Sequence, residues 1–484
     1  MKHKNLFLLI AFFIILIGAF VVRLYRFSNP IADWHSWRQT DTSAVSKNFI
    51  EHGFNVLHPQ YFDISNVQSG FDNPQGYRLV EFPIYNIFQA GGYELFHIFT
   101  LEEWGRIISI ISSCLTVLFL FLIGKRYGNK WIGILAAFFF AFLPFSIYYG
   151  RTVLPDPSMA MTILGGIYFF GKYLDGDQKQ TNRIRLKYLW FVVSLVFTAT
   201  SLLLKPYALF FTLPFLVLAF EKYGFGFLKK WQLWVFLILA VVPLTLWRIW
   251  IMQYPEGIPV SGWLFNGGDI RFKGAYFYWI FGERISKLIL GYVGIAFLVL
   301  GLFKTDKEKH YPFFLSFLIS SLLYVVIIAR GNVQHDYYQI LIIPTVVLFA
   351  ARGVYMMFQF AGKLNKIVAA LSFIFLLFLT LSLSWYYVRD YFNINNIAII
   401  EAGEKADQVL PKDAKVIAPY DGDTTLLYYI NRKGWPSFEH SAQDLQKMGA
   451  TDMVFVHPDN QTIQNLSQQY KVIASSSAYI IVQL

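Results

Sequence analysis

The chain has 484 residues, of which 56% are hydrophobic and only 15% are charged, whereas soluble domains carry about 25% charged residues. This composition excludes an ordinary soluble protein and indicates a polytopic membrane protein. The net charge of +11 would indicate nucleic-acid binding only if the basic residues clustered on a soluble surface. The single cysteine, Cys114, excludes an intramolecular disulfide and a cysteine-rich metal site.

Eleven apolar runs of spanning length, about 20 residues each, predict eleven transmembrane helices. The first run, 6–22, is followed by Arg23, Tyr25 and Arg26 rather than by a small-residue cleavage site, which favours an uncleaved span over a signal peptide. The other ten runs lie near residues 106–124, 131–149, 158–174, 188–204, 206–221, 232–252, 285–303, 311–329, 338–358 and 367–388.

The segments that connect these runs alternate in charge. Lysine and arginine concentrate at the N-terminus and in five connections, at residues 125–130, 172–187, 222–230, 304–309 and 363–366. The positive-inside rule places these segments in the cytoplasm, so most of the basic excess sets the orientation and nucleic acid is not an expected partner. The long loop 28–105 and, since the number of spans is odd, the tail are then expected outside.

The tail, 389–484, differs in composition from the rest of the chain. Helical and strand-like patterns alternate along it, at Glu404–Leu410, Lys415–Ala418, Thr424–Arg432, Ser441–Met448 and Met453–His457. This alternation predicts a small α/β domain. The expected fold is an α-helical polytopic membrane domain over 1–388, with 28–105 as its first outer loop, followed by an extracytoplasmic α/β domain over 389–484.

Ionisable side chains are costly near a membrane, and here they concentrate at the outer boundary. The first outer loop opens with Asp33, His35, Arg38 and Asp41 among two tryptophans. An aromatic belt with solvated charges is the alternative explanation of this segment. It accounts for the tryptophans but not for two carboxylates, an imidazole and a guanidinium in ten residues.

Three further outer segments carry ionisable groups. Arg151 precedes Asp156, which stands between two prolines and could equally cap the following helix. Lys205 lies between two spans, where it must snorkel to the interface or pair with an anion. His335 and Tyr337 lie at the entry to the tenth span. Acids can deprotonate a hydroxyl or hold a divalent metal, and cations can bind phosphate, so this boundary suits an anionic lipid-linked substrate.

Several short motifs follow one another in the order and topological placement of a known family. They are Glu81–Tyr85, Glu103–Arg106, Tyr149–Arg151 with Leu154–Asp156, Lys205–Pro206 and His335–Tyr338. Together they resemble the GT-C class of integral-membrane glycosyltransferases, and within it the bacterial branch related to protein O-mannosyltransferases and lipid A aminoarabinose transferases (glycosyltransferase family 39). The resemblance covers residues 5–360 and is strongest over 23–175.

The resemblance implies transfer of a sugar, with inversion, from a polyprenyl-phosphate donor to a lipid, glycan or protein acceptor on the outer face of the bacterial cytoplasmic membrane. It also implies one acid in the first outer loop and a second acid in the next, which Asp156 matches. Counting from the first span selects Asp33 as the first acid. Counting back from Asn48–Gly53 leaves Asp41 as the alternative.

Glu81 departs from the family pattern, because relatives commonly place a lysine there, and Arg38, Arg78 or Lys205 is expected to replace that cation. As a hypothesis, Asp33 accepts the proton of the acceptor hydroxyl or orients that hydroxyl, while the lipid phosphate leaves into a pocket built from Arg38, Arg151, Lys205 and His335. The expected substrate-binding residues are His35, Arg38, Arg78, Glu81, Arg151, Lys205, His335 and Tyr337.

No cofactor is required by this scheme, although a divalent metal bridging Asp33 and Asp156 is an alternative, because carboxylates suit hard cations. The alternative function is a transporter or flippase for a lipid-linked saccharide. It would place charges near the centres of several spans, where this sequence has few.

Overall fold

The computed structural model describes residues 2–176, 181–304, 309–361 and 365–484. The gaps fall in three of the basic connections, so Lys179, Lys307 and Lys363 lie outside the described residues. Contacts between Cα atoms divide the chain into two compact units. One, the helical unit, comprises Met1–Phe27, Arg106–Leu246 and Ser261–Asp390; the other, the loop–tail unit, comprises Ser28–Gly105, Trp247–Val260 and Tyr391–Leu484.

The α-helices are, in chain order, α1 (Lys2–Arg23), α2 (Ser36–His52), α3 (Ile84–Leu95), α4 (Leu101–Ile123), α5 (Lys130–Phe142), α6 (Pro144–Tyr149), α7 (Asp156–Asp175), α8 (Thr181–Leu204), α9 (Leu213–Tyr223), α10 (Trp231–Ile251), α11 (Trp263–Asn266), α12 (Gly274–Phe277), α13 (Ile295–Leu302), α14 (Tyr311–Ile327), α15 (Ala329–Gln334), α16 (Ile343–Ala361), α17 (Lys366–Val388), α18 (Ile397–Val409), α19 (Thr425–Ile430), α20 (Ala442–Lys447) and α21 (Asn460–Gln469). The strands are β1 (Val416–Ile417), β2 (Gly434–Trp435), β3 (Asp452–Val456), β4 (Lys471–Ser475) and β5 (Tyr479–Gln483).

Each of the eleven apolar runs is helical over most of its described length. Within the described ranges, seven helices are long and apolar enough to cross a membrane, and Lys130–Phe142 and Tyr311–Ile327 are shorter apolar helices. The third run is divided at Leu143 because Pro144 disfavours the helical conformation of the residue before it. The protein is therefore a multi-pass membrane protein, as the hydropathy pattern predicts.

A buried arginine stabilises the break between α5 and α6. Arg23, at the end of α1, is fully buried. Its guanidinium donates to the carbonyl oxygens of Ala141 at 3.0 Å, Phe140 at 3.1 Å and Ser146 at 3.2 Å. The last carbonyls of a helix have no partner within that helix. Arg23 supplies this partner, so we assign its guanidinium a structural role and not a role in the reaction.

The loop–tail unit contains a five-stranded sheet in the order β2-β1-β3-β5-β4. β1 pairs in parallel with β2 and β3, whereas β5 is antiparallel to β3 and β4. The predicted α/β fold of the tail is thus confirmed. The patterns at Lys415–Ala418 and Met453–His457 correspond to β1 and β3, and the three helical patterns to α18, α19 and α20, while β2, β4, β5 and α21 were not predicted.

The first loop joins this sheet. Asp63 lies opposite Gly434 in a parallel bridge, with Gly434 donating to the Phe62 carbonyl at 2.9 Å and Ile64 donating to the Gly434 carbonyl at 3.0 Å. Ile64 also packs in the core of the sheet with Trp435. The loop 28–105 and the tail are therefore one folded unit, although nearly 300 residues separate them. The predicted boundary at 389 remains a prediction, and it lies close to the change of unit after Asp390.

Candidate functional site

The first group of candidate residues lies on or beside α2, a helix whose buried surface is polar. Most of its 17 residues are buried, including Arg38 and Asp41. Amides from α3 hold it in place: Asn86 donates to the Thr42 carbonyl at 2.6 Å, and Gln89 accepts from the Ser46 hydroxyl at 2.7 Å. Because buried polar groups need such partners, this packing fixes the ionisable side chains of α2 in defined positions.

Asp33 lies just before α2 and is 1% exposed. The side-chain amide of Gln39 donates to its Oδ1 at 2.6 Å, and Asn395 donates to its main-chain carbonyl at 3.4 Å. The neighbouring Trp34 stacks on Tyr391, with ring centroids 4.8 Å apart. The segment around Asp33 is therefore held from both α2 and the start of the tail.

Asp41 is equally buried but has different partners. Arg78 Nη2 lies 2.8 Å from its Oδ2, and the Thr424 hydroxyl donates to its Oδ1 at 2.6 Å. The Arg78 guanidinium also lies over the ring of Tyr61, 5.1 Å from the centroid. Both carboxylate oxygens of Asp41 thus face donors that belong to the fold.

Asp63 completes this buried cluster, since its carboxylate accepts from the Tyr61 hydroxyl at 3.2 Å and from the Ser65 main-chain N–H at 2.8 Å. Burial, with a smaller contribution from the charge of Asp41, raises the pKa of Asp63 to about 6. Burial disfavours the charged form of a carboxyl, so a raised pKa is expected at this position.

Arg38, which is buried, forms an ion pair with the half-buried Glu81. Glu81, which departs from the family pattern, therefore pairs with Arg38, another of the predicted substrate-binding residues. His35 is half-buried, adopts the left-handed conformation with φ 57° immediately before α2, and lies edge-on to Trp34 at 5.2 Å.

The second group lies in the helical unit, where Asp156 begins α7. Its carboxylate Oδ2 is 3.1 Å from Lys205 Nζ, and both side chains are buried. No side chain caps α7, and Pro155 occupies the N-cap position. The capping explanation of Asp156 is therefore wrong, because its carboxylate pairs with a cation. The snorkelling explanation of Lys205 is also wrong, because its side chain is only 5% exposed.

Two tyrosine rings cover the Lys205 ammonium. The centroids of Tyr337 and Tyr338 lie 5.3 and 5.6 Å from its nitrogen, a distance at which a cation is attracted to a ring face. The His335 ring stacks on Tyr337 at 5.5 Å. The motif His335–Tyr338 and the lysine predicted to act with it are therefore contiguous.

Arg151 is also in the helical unit and is 1% exposed. It donates to the Arg26 carbonyl at 3.2 Å and lies over the Tyr148 ring at 5.6 Å. These contacts anchor the guanidinium at the end of α6.

A buried ion pair next to this site, Asp336 with Arg284, is not among the residues predicted from the sequence. The Tyr149 hydroxyl donates to Asp336 Oδ1, and Arg284 Nη1 lies 3.9 Å from Asp336 Oδ2. Arg284 also donates to the Val333 carbonyl at 3.0 Å. The available signal was a basic residue at the end of the outer segment 253–284, one residue before the apolar run that follows.

The predicted bridging metal finds little support in these contacts. No group of three or more His, Cys, Asp or Glu side chains that could hold a metal ion occurs in the part of the chain that the structure describes. Lys205 faces one oxygen of Asp156, and an amide donates to Asp33.

Comparison with known proteins places these residues in a family context. Residues 80–250 match the model of the family described as dolichyl-phosphate-mannose-protein mannosyltransferase. This match covers Glu81, Arg151, Asp156 and Lys205. No curated protein matches the full sequence significantly.

Two solved structures share the fold along almost the whole chain. ArnT from Cupriavidus metallidurans, in a crystal structure bound to undecaprenyl phosphate, has a TM-score of 0.63 at 12% identity, covering 99% of this chain and 98% of that one. The Archaeoglobus fulgidus oligosaccharyltransferase, in a complex with zinc and sulfate, has a TM-score of 0.60 at 12% identity, covering 98% and 72%.

The chain therefore has an integral-membrane fold like that of ArnT, and its residues 80–250 are similar to the protein mannosyltransferase family. The resemblance to the GT-C class, with its relation to protein mannosyltransferases and ArnT, that the short motifs predict is confirmed.

Proposed function

We propose that this protein is a glycosyltransferase that moves a sugar from a polyprenyl-phosphate donor to a hydroxyl acceptor. The observation that carries the proposal is the buried pair of Lys205 and Asp156, with their atoms 3.1 Å apart, under the rings of Tyr337 and Tyr338. The match of the surrounding segment to a family of lipid-phosphate sugar transferases supports it. So does the ArnT relative, whose structure was determined with undecaprenyl phosphate.

Lys205 is the cation that we assign to the donor phosphate. An ammonium has three N–H donors, so it can contact Asp156 and a phosphate oxygen at the same time. Arg38 and Arg78, the other candidates for this role, lie outside the segment 80–250 that matches the family model, whereas Lys205 lies within it. Arg151, His335 and Tyr337 are assigned to the same donor-binding region.

Asp33 is the acid that we assign to the acceptor. Its Oδ1 accepts from a neutral amide, whereas both oxygens of Asp41 face Arg78 and Thr424. In the proposed step, the acceptor oxygen forms a bond to the anomeric carbon and the bond from that carbon to the phosphate oxygen breaks. The phosphate leaves with the electron pair, Asp33 takes the hydroxyl proton, and the anomeric configuration is inverted.

We place this reaction on the outer face of the bacterial cytoplasmic membrane, with the N-terminus in the cytoplasm and the loop–tail unit outside. The basic connections support this orientation through the positive-inside rule. The donor is a hexosyl or pentosyl ester of polyprenyl phosphate, and the acceptor is a lipid, a glycan or a protein.

The test uses the purified protein in liposomes that contain polyprenyl-phosphate sugars and a membrane extract as the source of acceptor. We expect acceptor-dependent release of polyprenyl phosphate, measured by mass spectrometry of the lipids. Movement of the intact lipid-linked sugar across the bilayer without release would favour the flippase alternative. If neither occurs with any donor of this class, the proposal is wrong.

A further inference from the structure

The loop–tail unit contains a polar cavity beside the C-terminal end of α2. Its volume is about 630 Å³, within the range of about 300–1,000 Å³ that small-molecule sites occupy. The end of α2, the segment 97–100 after α3 and the start of α4 line it. Because α2 has 17 residues and is therefore about 25 Å long, the cavity is well separated from Asp33, which precedes the first turn of this helix.

The cation of this cavity is Lys47, on α2. Its ammonium lies over the rings of Tyr428 and Phe62, with 5.3 and 5.9 Å between the nitrogen and the ring centroids. Its side chain makes no hydrogen bond or ion pair within the described residues. Burial lowers the pKa of Lys47, although the carboxylates of Glu102 and Glu51 oppose this shift. An ammonium has only N–H donors, so Lys47 is suited to an oxygen acceptor that a ligand supplies.

Three glutamates line the same cavity. Glu102 accepts from the Tyr428 hydroxyl, and Glu103 accepts from the Thr100 main-chain N–H at 2.9 Å. Glu51 is exposed and forms no ion pair with Lys47 or with any other residue that the structure describes. The ammonium of Lys47 and the carboxylate of Glu51 therefore line one cavity without neutralising each other.

These groups discriminate between classes of ligand. An anion would be attracted by Lys47 but would face the carboxylates, and a cation would face Lys47. A hydroxyl group both donates and accepts hydrogen bonds, so a neutral polyhydroxyl compound can satisfy the ammonium and the carboxylates together. Tyr93 and His97 also line the cavity, with their rings edge-on and the centroids 5.3 Å apart. They add an aromatic surface on which the C–H face of a sugar ring can pack.

We propose that this cavity binds a neutral saccharide, with Lys47 and Glu51 as its principal polar contacts. Binding of the saccharide does not depend on the transferase reaction. Its assignment to the acceptor rests on the proposed function, and the cavity would then hold a sugar unit remote from the hydroxyl that reacts at Asp33.

Saturation-transfer NMR on the whole protein in lipid nanodiscs tests the proposal. The probes are maltotriose, mannotriose and chitotriose, without a donor lipid, so that no transfer can occur. At least one trisaccharide is expected to bind the wild type. Lys47→Met is expected to weaken that binding by about tenfold or more, because a charge-assisted hydrogen bond is lost. Lys447→Met, which removes an exposed lysine of α20 outside the cavity, is the matched control and is expected to bind like the wild type.

A second variant changes the aromatic surface and leaves the charge unaltered. Tyr93→Ala is also expected to weaken trisaccharide binding, so the proposal stays testable even if Lys47→Met fails to fold. Binding of inorganic phosphate that strengthens in Glu51→Gln, with no binding of the trisaccharides, would identify an anion site and overturn the proposal. Equal trisaccharide binding by the wild type and both cavity variants, or none by any of them, would also overturn it. A protein that binds a trisaccharide but releases no polyprenyl phosphate would contradict the proposed function alone.

Discussion

The two units of this protein each bury a carboxylate against a cation, and the two pairs differ in what surrounds them. In the loop–tail unit, Asp41 faces Arg78 and the Thr424 hydroxyl, so oxygen and nitrogen groups of the fold meet both of its oxygens. In the helical unit, Lys205 Nζ lies 3.1 Å from Asp156 Oδ2 and also contacts the ring faces of Tyr337 and Tyr338. Ring faces attract a cation and hold it beside an aromatic surface. The first pair therefore suits a structural role, and the second suits the binding of an anionic ligand.

The largest expected effect concerns the acid that stands outside both pairs. Asp33→Asn is expected to lower turnover by about 10²- to 10⁴-fold, the usual contribution of a general base, while protein yield and melting temperature stay near wild type. Polyprenyl phosphate release per folded protein is the measurement. Asp41→Asn is the matched comparison, and a larger loss of turnover in that variant would reverse the assignment of the two acids.

Next in size is the loss of the Lys205 ammonium. Lys205→Met leaves Asp156 buried without the cation of Lys205, which costs about 3–5 kcal/mol of stability. The same variant is expected to raise the KM for the donor by about tenfold or more, because a charge-assisted hydrogen bond to the phosphate is lost. The variant Lys205→Met/Asp156→Leu is expected to recover the melting temperature but not the KM. Recovery of both would mean that this pair is only structural.

Arg78→Met should cost a similar amount of stability, about 3–5 kcal/mol, through the uncompensated charge of Asp41. The effect on turnover per folded molecule is expected to be small. The double variant Arg78→Met/Asp41→Leu is expected to recover both stability and turnover, measured by thermal unfolding and donor cleavage. If turnover per folded molecule were lost in the stable double variant, the contrast between the two pairs would fail.

The smallest effect is a pH dependence in the loop–tail unit. Because the pKa of Asp63 is raised to about 6 from 3.8, its protonated form is favoured in the fold. Its contribution to stability is present below pH 3.8 and is lost as the pH rises through about 6, a difference of roughly 3 kcal/mol. Asp63→Asn is expected to flatten the dependence of the melting temperature on pH between about 4 and 6.5. An unchanged profile would contradict this.

Hydropathy was sufficient to predict the helical unit, because each span must bury its own backbone hydrogen bonds in an apolar segment. It could not predict α2, whose sequence from Ser36 to His52 has no apolar periodicity. That helix depends on Asn86 and Gln89 of α3, and such long-range amide contacts leave no local pattern.

The candidate residues could be listed from the sequence, but their pairing could not. In the sequence, Glu81 is only a departure from the family pattern, and the structure gives Arg38 as its partner. Asp336 lies within the His335–Tyr338 motif, but no spacing in the sequence links it to Arg284, 52 residues earlier. Ion pairs between distant segments follow from the fold, not from spacing.

The arginine at the end of the first span has a consequence for how the protein is made. Arg23 emerges from the ribosome more than 100 residues before the carbonyl groups of Phe140, Ala141 and Ser146 that receive its hydrogen bonds. Until α5 and α6 have been inserted, α1 holds an arginine that can only reach toward the membrane surface. The first span thus reaches its final position only after the third has been synthesised, and a fragment that ends before residue 140 lacks the partners that secure it.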